Sequence, residues 1–195
     1  MQTQITRRKF GKLSSLAMAA ALLPLELLTG CPGEDIVLAG LRAAAQIAAA
    51  AAGVLKPLNT TAGGILDTVS SDLLLIVNLY DQWKAADALG KPDVLHRIQT
   101  AIATISQNLT AILKAVKIAN PALVAYISVG IGVVNSAISI LIAHLPAQQK
   151  SLIASVAAQE RAVLPVVAGA KSEKDLKRAW NDASIQAGHP EAVVR

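Results

Sequence analysis

The most regular part of this sequence is the stretch from residue 95 to residue 116, which reads LHRIQTAIATISQNLTAILKAV. Its aliphatic residues recur at alternating steps of three and four, which places them on one side of an α-helix. They are Leu95, Ile98, Ile102, Ile105, Leu109, Ile112 and Val116. Helices bury such a stripe when they pack against one another at about 20°. The stretch therefore predicts a long helix inside a bundle.

Three further segments repeat the same spacing and predict three further long helices. The first contains Leu38, Leu41, Ala45, Ala48, Ala52 and Leu55; the second contains Leu66, Val69, Leu73, Ile76, Tyr80 and Trp83; the last contains Val124, Ile127, Ile131, Val134, Ile138, Leu141 and Leu145. Short connections separate the segments, and no strand-like alternation occurs between residues 32 and 195. Since short connections favour antiparallel neighbours, the sequence predicts an all-α, up-down bundle of about four long helices.

The ends of these helices carry recognisable signals. Asn120-Pro121 predicts the start of the fourth helix, and the Gly63-Gly64 pair is interpreted as a hinge before the second. One or two short helices are expected at the C-terminus: a loosely amphipathic one over 148–163, and a charged one that Ser172 caps. We expect residues 191–195 to form a frayed tail.

The first thirty residues have a composition of their own. Arg7, Arg8, Lys9 and Lys12 precede an apolar stretch over residues 13–28, and the sequence Leu28-Thr29-Gly30-Cys31 follows. A basic start, a short apolar run and small residues are the layout of a secretory signal peptide. The sequence therefore predicts a signal peptide over residues 1–30 and one helical domain over 31–195, in which residues 31–35 form a tether.

Two motifs within this segment resemble those of bacterial export. The pair Arg7-Arg8, followed by Phe10, resembles a twin-arginine (Tat) signal peptide, which implies export of a folded chain by the Tat translocase. Leu28, Thr29, Gly30 and Cys31 resemble a lipobox, which implies that lipoprotein-processing enzymes attach acyl chains such as palmitate to Cys31. The alternatives are a plain signal peptide without lipid attachment and an uncleaved membrane anchor with Cys31 as an ordinary thiol, although Pro24 and Glu26 interrupt the apolar run.

Net charge argues against a nucleic-acid partner. The 195-residue chain has 18 Lys and Arg residues against 13 Asp and Glu, a net charge of +5. Residues 1–30 hold four of those basic residues and one of the acidic ones, so the remainder carries only about +2. Aromatic residues make up 3% of the chain, which offers few surfaces on which bases could stack. We therefore expect no nucleic-acid binding.

The predicted helix over 121–145 is apolar enough to suggest a membrane span. No charged residue occurs between Ile118 and Gln149. Its small and polar residues form one stripe, a candidate packing or partner face, which consists of Ser128, Gly132, Asn135, Ser136 and Ser139. In a membrane the stripe would pack against another helix, and in a bundle it would face outward or meet the Ala-rich first helix. Because the apolar spacing continues that of the other helices, we favour a buried helix.

Sequence motifs for catalysis or metal binding are nearly missing. Asp93 and His96 are spaced as one half of a helical metal site, but bundle metal sites need two such pairs and further carboxylates. Asp93 is interpreted as a helix-start residue, and the aspartates of the second helix as solvated charges. We expect no catalytic residue, no metal and no cofactor.

The sequence thus predicts a non-enzymatic, lipid-anchored protein of the bacterial cell envelope with a structural, scaffolding or accessory role. The membrane that retains it and any protein partner stay open. One alternative is a carrier of a small apolar ligand, held between helices near Ile102, Ile131 and Ile138. Another is a membrane-inserting bundle that uses the helix over 121–145.

Overall fold

A computed structural model describes residues 35–116, 121–145 and 165–195 of the chain. These residues form five α-helices and no strand, which confirms the predicted fold class. The long helices are α1 (Ile36–Leu55), α2 (Thr60–Ala85), α3 (Lys91–Val116) and α4 (Pro121–His144). A shorter helix, α5 (Glu173–Gln186), and a 3₁₀ turn (Pro190–Ala192) follow. The second short helix, expected over 148–163, lies outside the described residues.

The four long helices pack as an up-down antiparallel bundle. α1 packs against α2 and α4, α3 packs against α2 and more lightly against α4, and α5 covers α1 and α4. Two contacts show the opposed directions. Lys84 near the end of α2 reaches Asp35 at the start of α1, and Gly40 in α1 faces Ile140 near the end of α4.

The predicted apolar stripes form the core of this bundle. In α1 and α3, all the stripe residues whose side chains are described are buried, and several are completely inaccessible. In α2 and α4, only Trp83 and Val124 are partly exposed. Each Leu or Ile buried in this way contributes roughly 1.5–3 kcal/mol of hydrophobic stabilisation. Burial of the aliphatic stripes therefore supplies most of the drive for this fold.

The start of α2 differs from the sequence prediction. The helix begins at Thr60, so Gly63 and Gly64 lie inside its first turns and form no hinge. Asn59 caps the helix by accepting a hydrogen bond from the Ala62 N–H at 3.0 Å. A Cβ at Gly63 would lie 2.9 Å from the backbone of Lys56, so the glycine lets the two helices approach closely. Helix packing therefore explains this glycine.

Candidate functional site

The residues predicted to direct export and lipid attachment lie outside the described part of the chain. They are Arg7, Arg8, Phe10, Leu28, Thr29, Gly30 and Cys31. The first described residue after them is Asp35, which caps α1 by accepting a hydrogen bond from the Val37 N–H at 3.0 Å. The described fold thus begins four residues after Cys31.

An ion-pair cluster joins this N-cap to the last turn of α2. Lys84 Nζ lies 2.9 Å from Asp35 Oδ2 and 3.0 Å from Asp81 Oδ1. Because up-down helices alternate in direction, the start of α1, the end of α2 and the start of α3 lie at the same end of the bundle. We call this region, made of Asp35 and residues 80–91, the Asp35 end.

Opposing effects set the protonation of the ion-pair cluster. Burial acts to raise the pKa of Asp35, but hydrogen bonds from Lys84 and the Val37 N–H hold that pKa below its ordinary value of 3.8. The hydrogen bond with Asp35 raises the pKa of Lys84. Both groups are therefore charged at neutral pH. Since both are partly exposed, the pair contributes only about 0–1 kcal/mol to stability.

Two aromatic rings and two lysines lie together at the Asp35 end. The rings of Tyr80 and Trp83 stack with their centroids 5.7 Å apart. Lys84 Nζ lies 5.1 Å from the centre of the Tyr80 ring, and Lys91 Nζ lies 5.5 Å from that of Trp83. In the turn between α2 and α3, Leu89 is 90% exposed. The Asp35 end therefore combines an exposed aliphatic side chain with amphipathic aromatic and lysine side chains.

The small and polar stripe of α4 meets another part of the same chain. Asn135 Nδ2 donates to the Pro165 carbonyl at 3.2 Å, and Ser136 Oγ accepts a hydrogen bond from the Val167 N–H at 2.9 Å. A Cβ added at Gly132 would touch the backbone of residues 166–167 at ordinary contact distance. The middle of the stripe is therefore covered by the segment that leads to α5. The stripe thus meets this segment rather than solvent or the Ala-rich α1, the two surroundings expected for it in a bundle.

The two outer members of the stripe behave differently. Ser128 is half-buried and donates to the Val124 carbonyl at 2.7 Å. Ser139 is exposed and donates to the Asn135 carbonyl at 2.8 Å. Both hydroxyls thus bond to the preceding turn of their own helix, as serine commonly does inside a helix.

Helix α5 is anchored by Trp180, which is completely buried. Its ring lies 4.7 Å from the ring of Tyr126 between centroids, and its Nε1 donates to the Ala192 carbonyl at 2.8 Å. A Cβ at Gly130 would lie 3.1 Å from this ring, so the glycine makes room for the tryptophan. Burial raises the pKa of Tyr126 to about 12, and the nearby Ser184 hydroxyl opposes this shift.

The C-terminal tail is ordered, and the prediction of a frayed tail is wrong. Asn181 donates to the Val194 carbonyl at 3.0 Å and accepts from the Val194 N–H at 2.9 Å. Lys177 Nζ donates to the Arg195 carbonyl at 2.6 Å. Side chains on one face of α5 therefore satisfy the backbone of the tail. Such a pairing is not visible in the sequence of either segment alone.

One aspartate of α2 also departs from its interpretation as a solvated charge. Asp72 is half-buried, and its Oδ2 has no solvent access and no hydrogen-bond partner among the described residues. Burial raises the pKa of this carboxyl. The other aspartates pair as expected of surface charges, for example Asp67 with Lys56. Asp72 therefore weakens the fold at neutral pH.

Within the described ranges, no three His, Cys, Asp or Glu side chains are grouped so that they could hold a metal ion. Asp93 and His96 are both exposed. Glu173, Lys177 and Asp182 are among the residues that line a shallow groove on α5. The residues suggested for an apolar ligand site, Ile102, Ile131 and Ile138, are buried in the helical core.

Three of the described helices are long and apolar enough to cross a membrane. They are α1, α2 and the part of α4 from Leu123 to His144, of which only the last is suggested by its lack of charged residues. In α1 and α4, 67% of the most apolar window is buried inside the bundle, compared with 50% in α2. By length and composition, the chain is thus compatible with membrane association.

Comparisons with known proteins found no matching family model, no matching curated protein and no matching solved structure.

Proposed function

We propose that this protein is a non-enzymatic, lipid-anchored component of the bacterial cell envelope, in which a helical bundle serves a structural or accessory role. The proposal rests on the resemblance of Arg7-Arg8 to a Tat signal and of residues 28–31 to a lipobox. Its expected partners are the Tat translocase, the lipoprotein-processing enzymes and the membrane that receives the acyl chains. The bundle would face the periplasm.

One observation carries the proposal: the bundle begins immediately after the candidate lipid-attachment residue. Asp35 already caps α1, and only three residues separate it from Cys31. A fully extended chain spans at most about 3.6 Å per residue, so the two Cα atoms lie no more than about 14 Å apart. Lipid on Cys31 would thus hold the bundle close to the membrane surface.

The bundle also suits export in a folded state. Its helices make most of their contacts with sequence neighbours, and such topologies fold in microseconds to milliseconds. Most aliphatic side chains of the described residues are buried in one core, with Leu58 and Leu89 among the exposed exceptions, so most of the apolar surface is already covered in a folded chain. Two or more acyl chains, at about 0.8 kcal/mol for each buried CH₂, would then anchor it durably.

Metabolic labelling with fatty acids tests the proposal directly. Wild type and Cys31→Ala are expressed in a bacterium and fractionated. We expect label and membrane retention in wild type and the loss of both in the variant. An Arg7→Lys, Arg8→Lys double variant should stay in the cytoplasm. Label that persists in Cys31→Ala would refute lipid attachment at this residue.

A second candidate function is a bundle that inserts into the membrane, and the three apolar helices favour it. Insertion requires α4, and with it α1 or α2, to exchange helix contacts for lipid contacts. Alkaline carbonate extraction of Cys31→Ala separates the two candidates. A protein held only by its lipid is released into the supernatant once Cys31 is replaced, whereas an inserted bundle stays in the pellet.

A further inference from the structure

We propose that the Asp35 end of the bundle contacts the lipid bilayer itself, with Leu89 inserted into the interface between the flanking side chains of Trp83 and Lys91. This inference rests on the proposed lipid attachment at Cys31. It adds an orientation to the proposed function: the anchored bundle would stand on one defined end.

The chain connection restricts which end can meet the membrane. Asp35 lies within about 14 Å of an acylated Cys31. Lys84 holds Asp35 against the last turn of α2 at 2.9 Å, so the turn over residues 86–90 belongs to the same end. The opposite end, with the α1–α2 turn at Leu58, lies farther away by the length of a 20-residue helix, about 30 Å.

The exposed side chains of the Asp35 end are suited to a bilayer surface. Leu89 is 90% exposed in a turn. Trp83 is half-buried, and Lys91 lies over its ring. Trp and Tyr concentrate at membrane–water interfaces, and lysine can bury its alkyl chain there while its ammonium stays at the headgroups. The combination therefore fits the interface between lipid and water.

Charge does not drive this contact. Within the Asp35 end, Lys84 is shared between Asp35 and Asp81, and Asp87 offsets Lys91, which leaves a net charge of −1. The Asp35 end is therefore close to neutral, and anionic headgroups would not attract it strongly. The contact should form on phosphatidylcholine and should be insensitive to salt.

The tether makes so small a contact effective. Burial of one leucine alone is too weak to hold a free protein on a vesicle. A tether of a few residues converts the contact into an intramolecular event at high effective concentration. The acylated protein should therefore show the contact, and the chain without lipid should not.

Spin labels at two matched leucines test the inference. Leu89→Cys and Leu58→Cys are each purified as the acylated full chain, labelled with a nitroxide and reconstituted into phosphatidylcholine vesicles. Both positions are exposed turn residues, at 90% and 64%, so either label is tolerated. Cys31, once acylated, offers no competing thiol. Mass spectrometry of the N-terminal peptide records the acylation independently.

We expect the label at position 89 to be several-fold less accessible to a water-soluble nickel chelate, and more accessible to oxygen, than the label at 58. Adding salt should leave this difference unchanged. Equal accessibility of the two labels in a protein shown to be acylated would overturn the orientation while the proposed function stands. A protein without acyl chains on residue 31 would overturn both.

Quenching of Trp83 by lipids brominated near the headgroup provides a second readout without a label, in a Trp180→Phe chain.

Discussion

The two adjacent glycines in the first turns of α2 should respond in opposite directions to the same substitution. Gly→Ala at an exposed interior position of a helix stabilises it by about 0.8–1.0 kcal/mol. A Cβ at Gly64 meets no atom within 4 Å, so Gly64→Ala should receive this gain in full. A Cβ at Gly63 would lie 2.6 Å from Lys56 Cγ and 2.9 Å from both Cα and N of Lys56.

The conflict at Gly63 sets the size of the difference. The Lys56 side chain can rotate away, but its backbone can move only if the ends of α1 and α2 separate. Overpacking of this kind costs about 1–3 kcal/mol, and a backbone obstacle places the cost near the upper limit. After the gain in helix propensity, Gly63→Ala should lose about 2 kcal/mol. The two variants should therefore differ by about 3 kcal/mol.

Urea unfolding, followed by far-UV circular dichroism, measures this difference. With a slope of about 1–3 kcal/mol per molar urea, the midpoints of the two variants should lie about 1–3 M apart, on opposite sides of wild type. The slopes should agree with that of wild type. If Gly63→Ala stabilised the chain as much as Gly64→Ala, the close approach of α1 and α2 at this point would be refuted.

Three further variants test the buried polar and aromatic groups. Asp72→Asn should stabilise the fold by about 0.5 kcal/mol at pH 7, since it removes a half-buried, solvent-screened charge whose Oδ2 has no hydrogen-bond partner among the described residues. Because the folded pKa of Asp72 is raised, this advantage should shrink as the pH falls through that pKa and vanish below 3.8; a gain independent of pH would exclude the charge as its cause. Tyr126 has a pKa of about 12 in the fold and 10.0 when unfolded, so its ionisation should destabilise the wild type relative to Tyr126→Phe. As the pH rises from 10 to 12, the wild type should lose about 2–3 kcal/mol of unfolding free energy relative to the variant. Unfolding of both proteins at each pH measures this loss. Trp180→Phe should lower the unfolding free energy by about 1–3 kcal/mol, because it loses the hydrogen bond to the Ala192 carbonyl. It should also speed hydrogen exchange of the Val194 amide. Unchanged exchange would show that the tail is held without this hydrogen bond.

The sequence predicts those parts of the fold that depend on local periodicity. The spacing of Leu95, Ile98 and Ile102 is enough to identify the buried face of α3, because a helix turns by a fixed angle for each residue. The cap at Ser172 is also predicted, and the structure confirms it: Ser172 Oγ accepts from the Asp175 N–H at 3.3 Å. Such features need no knowledge of which helices are neighbours.

Features that depend on a partner distant in sequence are not predictable in this way. Even for Lys56, only seven residues before Gly63, the close approach is visible only once α1 and α2 are packed, so the sequence alone suggests a hinge at Gly63. Asn135 bonds to Pro165, thirty residues later, and Asn181 bonds to Val194 in the tail. Each asparagine has an ordinary sequence context, and only the tertiary arrangement shows what it binds.

The hydropathy of α2 illustrates why the sequence leaves two functional candidates open. An apolar helix is stable against other apolar helices and against lipid alike, so mean hydropathy does not distinguish the two surroundings. In the bundle, half of the most apolar window of α2 is not buried, and Leu74 and Leu75 are 48% and 44% exposed. Yet the same helix carries Asp72, whose carboxylate would be costlier in hydrocarbon than in its present half-buried site. Insertion of α2 would thus require Asp72 to be protonated or paired. The carbonate extraction of Cys31→Ala should for this reason be repeated with Asp72→Leu. If α2 can enter the membrane, the added leucine should increase the fraction in the pellet. If the bundle stays folded outside the membrane, the fraction should not change.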